Sequence, residues 1–194
     1  APTITPDEIT EEMLSKYQCI YIEGYLLVNE PLVRSTMEKA KKLGLKVALD
    51  LSNFNIVNAF KGMLEDIIPK YVDILFSNES EAEAFTGQKA AEAVHTLSEL
   101  VEVSLVTLGK EGALIGSHGQ FYSVPAEGGK PVDTTGAGDN FAAGFLYGQS
   151  IGASLVQSAR IGSMLAGYVI DVVGPEIPYD KWEQIKLKVK GILA

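Results

Sequence analysis

The sequence predicts an α/β fold in which a mainly parallel β-sheet is flanked by helices. Short apolar runs of strand length recur along the chain, and segments with helical periodicity separate them. This alternation is typical of βαβ units, whose strands are parallel and buried on both faces. No internal repeat, low-complexity stretch or Gly/Ser-rich linker divides the 194 residues, so we expect a single domain over residues 1–194.

Six strands are predicted from the apolar runs. The first four alternate with helical segments, which indicates parallel pairing. The last two are connected by a turn through the sequence Ser-His-Gly, which predicts an antiparallel pair. The predicted strands are residues 19–22, 46–51, 74–77, 103–108, 113–117 and 120–124.

The helices are predicted from apolar residues spaced three and four apart and from capping signals. Thr5 and Glu8 stand in capping-box positions at the start of a helix over 6–16, and Gly44 ends a helix over 31–43. The remaining predicted helices are residues 57–68, 80–85, 89–100, 140–149, 155–173 and 179–192.

The composition excludes several classes of function. A formal net charge of −9 and the lack of any lysine or arginine cluster argue against binding to nucleic acids or anionic membranes. No segment approaches the roughly 20 apolar residues of a membrane span. His95 and His118 lie far apart without zinc-ligand spacing. The single cysteine, Cys19, cannot form an internal disulfide, so we expect a protein of the reducing cytoplasm.

The most informative segment is residues 133–148, which read DTTGAGDNFAAGFLYG. Glycine permits the close approach and positive φ of a concave turn, so the amides of Gly136, Ala137 and Gly138 can converge on one anion. The first-turn amides and the dipole of the following helix favour negative charge at the same place. Asp139 lies in that first turn, where a carboxylate can accept the proton of an attacking hydroxyl. The pattern therefore favours a phosphate site with a general base.

The same residues also fit a simple helix cap, in which Thr134 or Thr135 supplies the capping oxygen. Spacing alone does not decide between the two interpretations. The segment DTTGAGDNFAAGF, however, resembles the C-terminal signature of the PfkB, or ribokinase-like, family of sugar and nucleoside kinases. This resemblance implies a ribokinase-like fold, ATP as the phosphoryl donor, Asp139 as the catalytic base and residues 136–138 as the anion hole.

A second motif follows the third predicted strand, where the chain reads FSNESEAEAFTG. Asn78 and Glu81 stand three residues apart and share one face of the first helical turn. Taken alone, this pair is a helix cap with acidic residues in the first turn. The segment also resembles the family's NxxE motif, which implies that Asn78 and Glu81 help to organise Mg²⁺ and the triphosphate through water.

The fourth strand ends in VTLGKEG, which fits a simple β-turn and also resembles the family's nucleotide-binding strand end. The resemblance implies that Thr107 and Gly109 contact the nucleotide, beside a turn closed by Gly112. The later helix ARIGSMLAGYVI and the turn VVGPEIP would form the adenine side of the pocket. Gly162 would leave room there, although ordinary helix packing selects small residues equally.

Asp133 and Thr135 match the potassium-binding segment of related kinases. The resemblance therefore implies K⁺ as an additional ion, and potassium dependence is a hypothesis.

The resemblance covers most of the chain from Ile20 onward and is nearest to adenosine-kinase-like or ribokinase-like members. The family's N-terminal part, with its glycine-rich substrate motif and small β lid, is missing from this sequence. We therefore expect the chain to be a fragment of a longer kinase. A sheet edge that the missing part would cover invites pairing with another chain, so a homodimer is a further expectation.

The leading hypothesis is an ATP-dependent phosphotransferase that acts on a hydroxyl of a small sugar or nucleoside. A nucleotide-binding or regulatory module, with the fold but without the chemistry, is the alternative from a different class. A third hypothesis is a kinase of a vitamin precursor on the related fold. The sequence does not identify the acceptor.

Overall fold

A computed structural model describes residues 3–128 and 131–194, and it confirms the predicted α/β class. The six strands form one sheet in the order β1-β2-β3-β4-β5-β6, and β2 pairs in parallel with both β1 and β3. β1 therefore lies at an edge of the sheet. The strands are β1 Cys19–Glu23, β2 Lys46–Asp50, β3 Ile74–Asn78, β4 Val103–Thr107, β5 Ala113–Ser117 and β6 Gln120–Val124.

The register of the parallel strands brings their carboxyl ends to one edge. Glu23 of β1 lies opposite Asp50 of β2, and Asp50 lies opposite Phe76 of β3. β3 then continues for two residues to Asn78. In open α/β sheets this edge is where ligands bind, so polar residues that follow these strands are candidates for a site.

Nine α-helices lie within the described parts of the chain, and most begin within a few residues of the predicted positions. They are α1 Glu11–Leu14, α2 Glu30–Lys42, α3 Phe54–Ala59, α4 Lys61–Tyr71, α5 Glu79–Thr86, α6 Ala90–Ser98, α7 Ala137–Ser150, α8 Leu155–Val169 and α9 Trp182–Leu193.

Two predicted helices are interrupted. The helix over 6–16 is instead a 3₁₀ turn, Pro6–Glu8, followed by α1, because Ile9 is extended and Thr10 caps a new helix. Lys39 Nζ donates to the carbonyl oxygen of Ile9 at 2.8 Å, which stabilises the break. The helix over 57–68 begins three residues early as α3 and breaks at Phe60 before α4.

α8 ends at Val169 rather than at the predicted residue 173. The carbonyl oxygen of Ile170 accepts from the amides of Val132 at 2.7 Å and Asp133 at 3.3 Å. This oxygen is therefore used by the segment that precedes α7 instead of by a further helical turn. The prediction was wrong because the competing donors lie almost 40 residues earlier in the sequence.

The chain divides into two compact units, Ala1–Val106 with Ile115–Phe121, and Thr107–Leu114 with Tyr122–Ala194. The first has fully buried leucines on its strands, such as Leu49, Leu75 and Leu105. In the second, apolar residues of α8 and α9 form a common core with Ile177. The expectation of a single domain remains a prediction. Within the described residues, no helix is both long enough and apolar enough to cross a bilayer.

Candidate functional site

The turn before α7 contains the positive-φ glycine that the predicted concave turn requires. Gly136 is the N-cap residue and has φ of +77°, in the left-handed region that favours glycine. Among the residues that the structure describes, no side chain caps this helix. The hydroxyl of Thr135 instead donates to Asp133 Oδ1 at 2.7 Å. The alternative in which Thr134 or Thr135 caps the helix is therefore not realised.

The amides of this turn differ in their availability. The Ala137 amide donates to the carbonyl oxygen of Thr134 at 3.2 Å, so it is already engaged. The amides of Gly136, Gly138 and Asp139 have no acceptor within residues 3–128 and 131–194. Of the three amides predicted to bind an anion, those of Gly136 and Gly138 are therefore available and that of Ala137 is not, while the Asp139 amide is available in addition. The anion hole itself stays a prediction.

Asp139 is exposed in the first turn of α7. Its carboxylate makes no hydrogen bond or ion pair with any residue that the structure describes. A carboxylate without a protein partner, next to free amides, can accept a proton from a bound hydroxyl. The geometry is compatible with the predicted role as general base, which remains a prediction.

Asp133 and Thr135, the two predicted potassium residues, lie in direct contact. Asp133 Oδ1 accepts from the Thr135 amide at 2.9 Å as well as from its hydroxyl, and Oδ2 accepts from the Gly174 amide at 2.9 Å. The Gly174 amide and the two Thr135 donors lower the pKa of Asp133. Because both carboxylate oxygens already accept hydrogen bonds, a cation here would share them with protein donors.

Two glycines of the predicted site, Gly109 and Gly112, have different surroundings in the turn after β4. A Cβ atom at Gly112 would lie 1.9 Å from the carbonyl oxygen of Val124, so only glycine fits. A Cβ atom at Gly109 would meet nothing within 4 Å, so this position faces open space. Gly109 can therefore approach a ligand, while Gly112 allows tight chain packing. The half-buried Thr107 directly precedes this turn.

Gly162 lies against α7. A Cβ atom there would come within 2.5 Å of the carbonyl oxygen of Phe141, so the glycine allows the two helices to approach closely. This is the packing role that the sequence analysis left open. A contact between Gly162 and the nucleotide stays a prediction.

The second unit contains a cavity of about 300 Å³ beside α8. Ser163 fixes one wall, because its hydroxyl accepts from the Glu127 amide and donates to the Pro125 carbonyl oxygen, both at 2.9 Å. Lys188 Nζ lies 5.0 Å from the centre of the Tyr168 ring, within cation–π distance. Side chains that line the cavity include Met164, Tyr168, Asp171, Lys181, Gln184 and Lys188.

Asn78 and Glu81 form a closed capping box at the start of α5. Asn78 Oδ1 accepts from the Glu81 amide at 3.0 Å, while the Glu81 carboxylate accepts from the Asn78 amide at 2.8 Å and from Nδ2 at 2.6 Å. Glu81 is only 4% exposed. The capping interpretation is therefore correct as a description of geometry, and the metal role stays a prediction.

Burial raises the pKa of Glu81 to about 7, and the negative charge of Asp50 acts in the same direction against the hydrogen bonds from Asn78. Asp50 was missed in the sequence analysis. Its position at the end of a predicted parallel strand was the signal that could have found it.

The residues at this edge fit Mg²⁺ held largely through water. Within residues 3–128 and 131–194, no cluster of three or more histidine, cysteine or acidic side chains could enclose a metal ion. Asp50 and Glu81 together provide two carboxylates. Mg²⁺ commonly binds one or two carboxylates together with waters and substrate phosphates.

Comparison with known proteins identifies the family. The pfkB family carbohydrate kinase model matches residues 2–182. Adenosine kinase of Saccharomyces cerevisiae is 31% identical over 194 residues, and the match covers 91% of this chain and 57% of that protein.

Two crystal structures share the fold. The probable sugar kinase protein from Rhizobium etli CFN 42 has a TM-score of 0.91 at 29% identity, covering 98% of this chain and 59% of that one. Adenosine kinase from Sinorhizobium meliloti has a TM-score of 0.90 at 28% identity, covering 97% and 59%. This chain spans less than two thirds of the length of these relatives. It belongs to the pfkB family of carbohydrate kinases.

Proposed function

We propose that the chain carries the ATP-binding and phosphoryl-transfer residues of a kinase that acts on a hydroxyl of a sugar or nucleoside. The observation that carries this proposal is the start of α7, where the amides of Gly136, Gly138 and Asp139 and the carboxylate of Asp139 have no partner among the described residues. This arrangement lies inside the segment that resembles the family's signature. The adenosine kinases and sugar kinases among the relatives support the choice of acceptor class.

In the proposed reaction, the Asp139 carboxylate accepts the proton of the acceptor hydroxyl. The hydroxyl oxygen forms a bond to the γ-phosphorus, and the bond from that phosphorus to the β–γ bridging oxygen breaks to leave ADP. General-base assistance contributes ~100 to 10,000-fold in rate. The amides of the turn stabilise the negative charge on the transferring group, as in an oxyanion hole.

The remaining predicted residues bind and orient the nucleotide. Gly109 faces open space at the end of β4, which supports a backbone contact with the nucleotide beside Thr107. The cavity beside α8 has the size and mixed lining suited to a base. Asp50 and Glu81 would hold Mg²⁺, which neutralises charge on the triphosphate when bound.

Replacing Asp139 tests the proposed base. In the longest native form of the protein, Asp139→Asn should lower kcat by about 100-fold or more with little change in ATP affinity, because the amide keeps the size but loses the basicity. Asp7→Asn, which changes another exposed aspartate, is the matched control. Equal turnover in Asp139→Asn and the wild type would contradict the assignment.

Potassium dependence is part of the same proposal and rests on Asp133 and Thr135. Titrating activity with potassium chloride against choline chloride at equal ionic strength should show activation by potassium alone. An equal response to the two salts would remove K⁺ from the proposal.

A nucleotide-binding or regulatory module is the second candidate. The chain spans 57% to 59% of the relatives above, so the transfer activity of a whole relative is itself a proposal for this chain. Single-turnover assays with labelled ATP and a panel of sugars, nucleosides and vitamin precursors separate the candidates. Nucleotide binding without transfer to any acceptor would favour the module, and the labelled product would identify the acceptor of a kinase.

A further inference from the structure

Asn140, the residue after the proposed base, makes contacts that an ordinary helix residue would not make. Its side-chain nitrogen Nδ2 donates to the carbonyl oxygen of Gly136 at 2.9 Å and also lies 3.4 Å from the carbonyl oxygen of Pro175. Its backbone amide donates to the same Gly136 oxygen at 2.9 Å. One residue thus supplies two donors to a single carbonyl group of the turn.

A second contact holds the other side of the turn to the same segment. Asp133 Oδ2 accepts from the Gly174 amide at 2.9 Å. Between these two contacts, Gly136 packs directly on Pro175, where a Cβ atom would come within 2.9 Å of the proline Cβ. Residues 133–140 are therefore attached to residues 174–175 on both sides of Gly136.

The direction of the Gly136 carbonyl group affects the neighbouring backbone, because the peptide unit is planar. Fixing the direction of that C=O fixes the plane between Gly136 and Ala137, and hence the backbone angles on either side of it. The amides of Gly136 and Gly138, which have no acceptor in the described part of the chain, flank this plane. Amides stabilise an anion best when they already point to where its charge will lie, so the orientation of the plane affects phosphate affinity.

We propose that Asn140 is a positioning residue for the phosphate turn. Its side-chain amide holds the Gly136 carbonyl group against the 174–175 turn, so that the neighbouring backbone amides are directed to the terminal phosphate of the nucleotide. This inference rests on the proposed function. Asn140 itself touches neither phosphate nor acceptor.

The chemistry of asparagine suits this role. One Nδ2 atom carries two N–H groups, so it can donate to two carbonyl oxygens at once. Aspartate has the same shape but no donor when ionised, and it would repel both oxygens. Threonine has one hydroxyl, which can donate to the carbonyl four residues earlier but cannot serve both acceptors.

The experiment compares Asn140→Asp, Asn140→Ala and Asn140→Thr with the wild type. Isothermal titration calorimetry measures the Kd of Mg·AMP-PNP and of Mg·ADP, and circular dichroism measures Tm. We expect the Kd of Mg·AMP-PNP to rise about five- to tenfold in the Asp and Ala variants and less in Thr, as the loss of one or two hydrogen bonds predicts. The Kd of Mg·ADP should change less than twofold.

The control is Asn58→Asp, which adds the same charge at an exposed position of α3. It should leave both dissociation constants unchanged. Equal weakening of the two nucleotides, in step with a lower Tm, would mean that Asn140 only stabilises the fold and would overturn the inference. If the Asp variant does not fold, the Ala and Thr variants still distinguish a positioning role from a purely structural one.

The same affinities distinguish a wrong positioning role for Asn140 from a wrong proposed function. If the wild type binds Mg·AMP-PNP no more tightly than Mg·ADP, the turn does not hold a terminal phosphate and both proposals fail. If the wild type shows that gain in affinity and every Asn140 variant retains it, only the positioning role is wrong.

Discussion

Two helix starts in this protein resemble motifs of the pfkB family, and their hydrogen bonds are completed in opposite ways. At α5, Asn78 and Glu81 satisfy one another's side chains and amides. At α7, the N-cap residue Gly136 has no side chain, and no other residue in the described parts of the chain caps the helix. A capping signal in a sequence therefore marks where a helix begins, while the residue at the N-cap decides whether the amides are closed or left for a ligand.

The carboxylates of these two helix starts, Glu81 in α5 and Asp139 in α7, also differ in whether protein groups satisfy them. Glu81 is buried, and its pKa is raised to about 7. Asp139 is exposed and has no partner among the described residues. A buried, hydrogen-bonded carboxylate suits an indirect role in holding a cation, whereas an open carboxylate suits proton transfer to or from a substrate.

The largest effect is expected from giving α7 a cap like that of α5. Gly136→Asn adds a side-chain acceptor, as Asn78 provides in α5, and its Cβ atom would press on Pro175. Calorimetry should show that the Kd of Mg·AMP-PNP rises by about 100-fold, the loss expected for two charge-assisted hydrogen bonds.

The matched control for this change is Gly152→Asn. Gly152 also has positive φ, at +76°, and a Cβ atom there would meet nothing within 4 Å. Unchanged affinity in Gly152→Asn together with normal affinity in Gly136→Asn would show that the open helix start does not bind phosphate.

A smaller effect is expected at α5. Glu81→Gln keeps an oxygen for the Asn78 amide but removes the charge that would hold Mg²⁺. The Mg²⁺ concentration for half-maximal activity should rise about tenfold, since one charged ligand among several is lost. Glu79→Gln, an exposed acid in the same turn, is the control. An identical Mg²⁺ dependence in the Glu81 variant would leave α5 with a capping role alone.

The smallest effect concerns stability and pH. Because the folded pKa of Glu81 is raised from its ordinary value of 4.5 to about 7, the folded state binds a proton more readily between these values. Glu81 therefore contributes a loss of stability as the pH rises from about 4.5 to 7, and this loss is complete above the folded pKa.

Urea unfolding at pH 5 and pH 8 measures this contribution. The free energy of unfolding of the wild type should fall relative to that of Glu81→Gln at the higher pH, because glutamine does not titrate. Asp50→Asn should lower the pKa of Glu81, because the negative charge of Asp50 is one cause of the raised value. The change in unfolding free energy between pH 5 and pH 8 should then be smaller. Parallel curves for the wild type and Glu81→Gln would contradict the raised pKa.

The sequence predicted most strands to within a residue, because runs of apolar residues are local signals. The early end of α8 was missed because the amides of Val132 and Asp133 compete for the carbonyl oxygen of Ile170, and local sequence does not contain these donors. The break at Ile9 has a local part, the cap at Thr10, and a distant part, the contact from Lys39. Predicted helix ends are therefore least reliable where a side chain or amide from another element competes for the carbonyl oxygens.

In the candidate site, too, local features could be predicted from the sequence and distant contacts could not. The position of Gly136 at a helix start followed from its neighbours in sequence, and so did the pairing of Asn78 with Glu81. Asp50 affects Glu81 only because parallel register aligns their strand ends. Asn140 looks like any polar helix residue until Pro175, 35 positions later, is placed beside it.

Amide NMR of the ¹⁵N-labelled 194-residue chain tests the central claim most directly. Titration with Mg·AMP-PNP should move the amide resonances of Gly136, Gly138 and Asp139 strongly downfield, with a much smaller change at Ala137, whose amide is already engaged. Saturable nucleotide binding that leaves these three resonances in place would show that phosphate binds elsewhere.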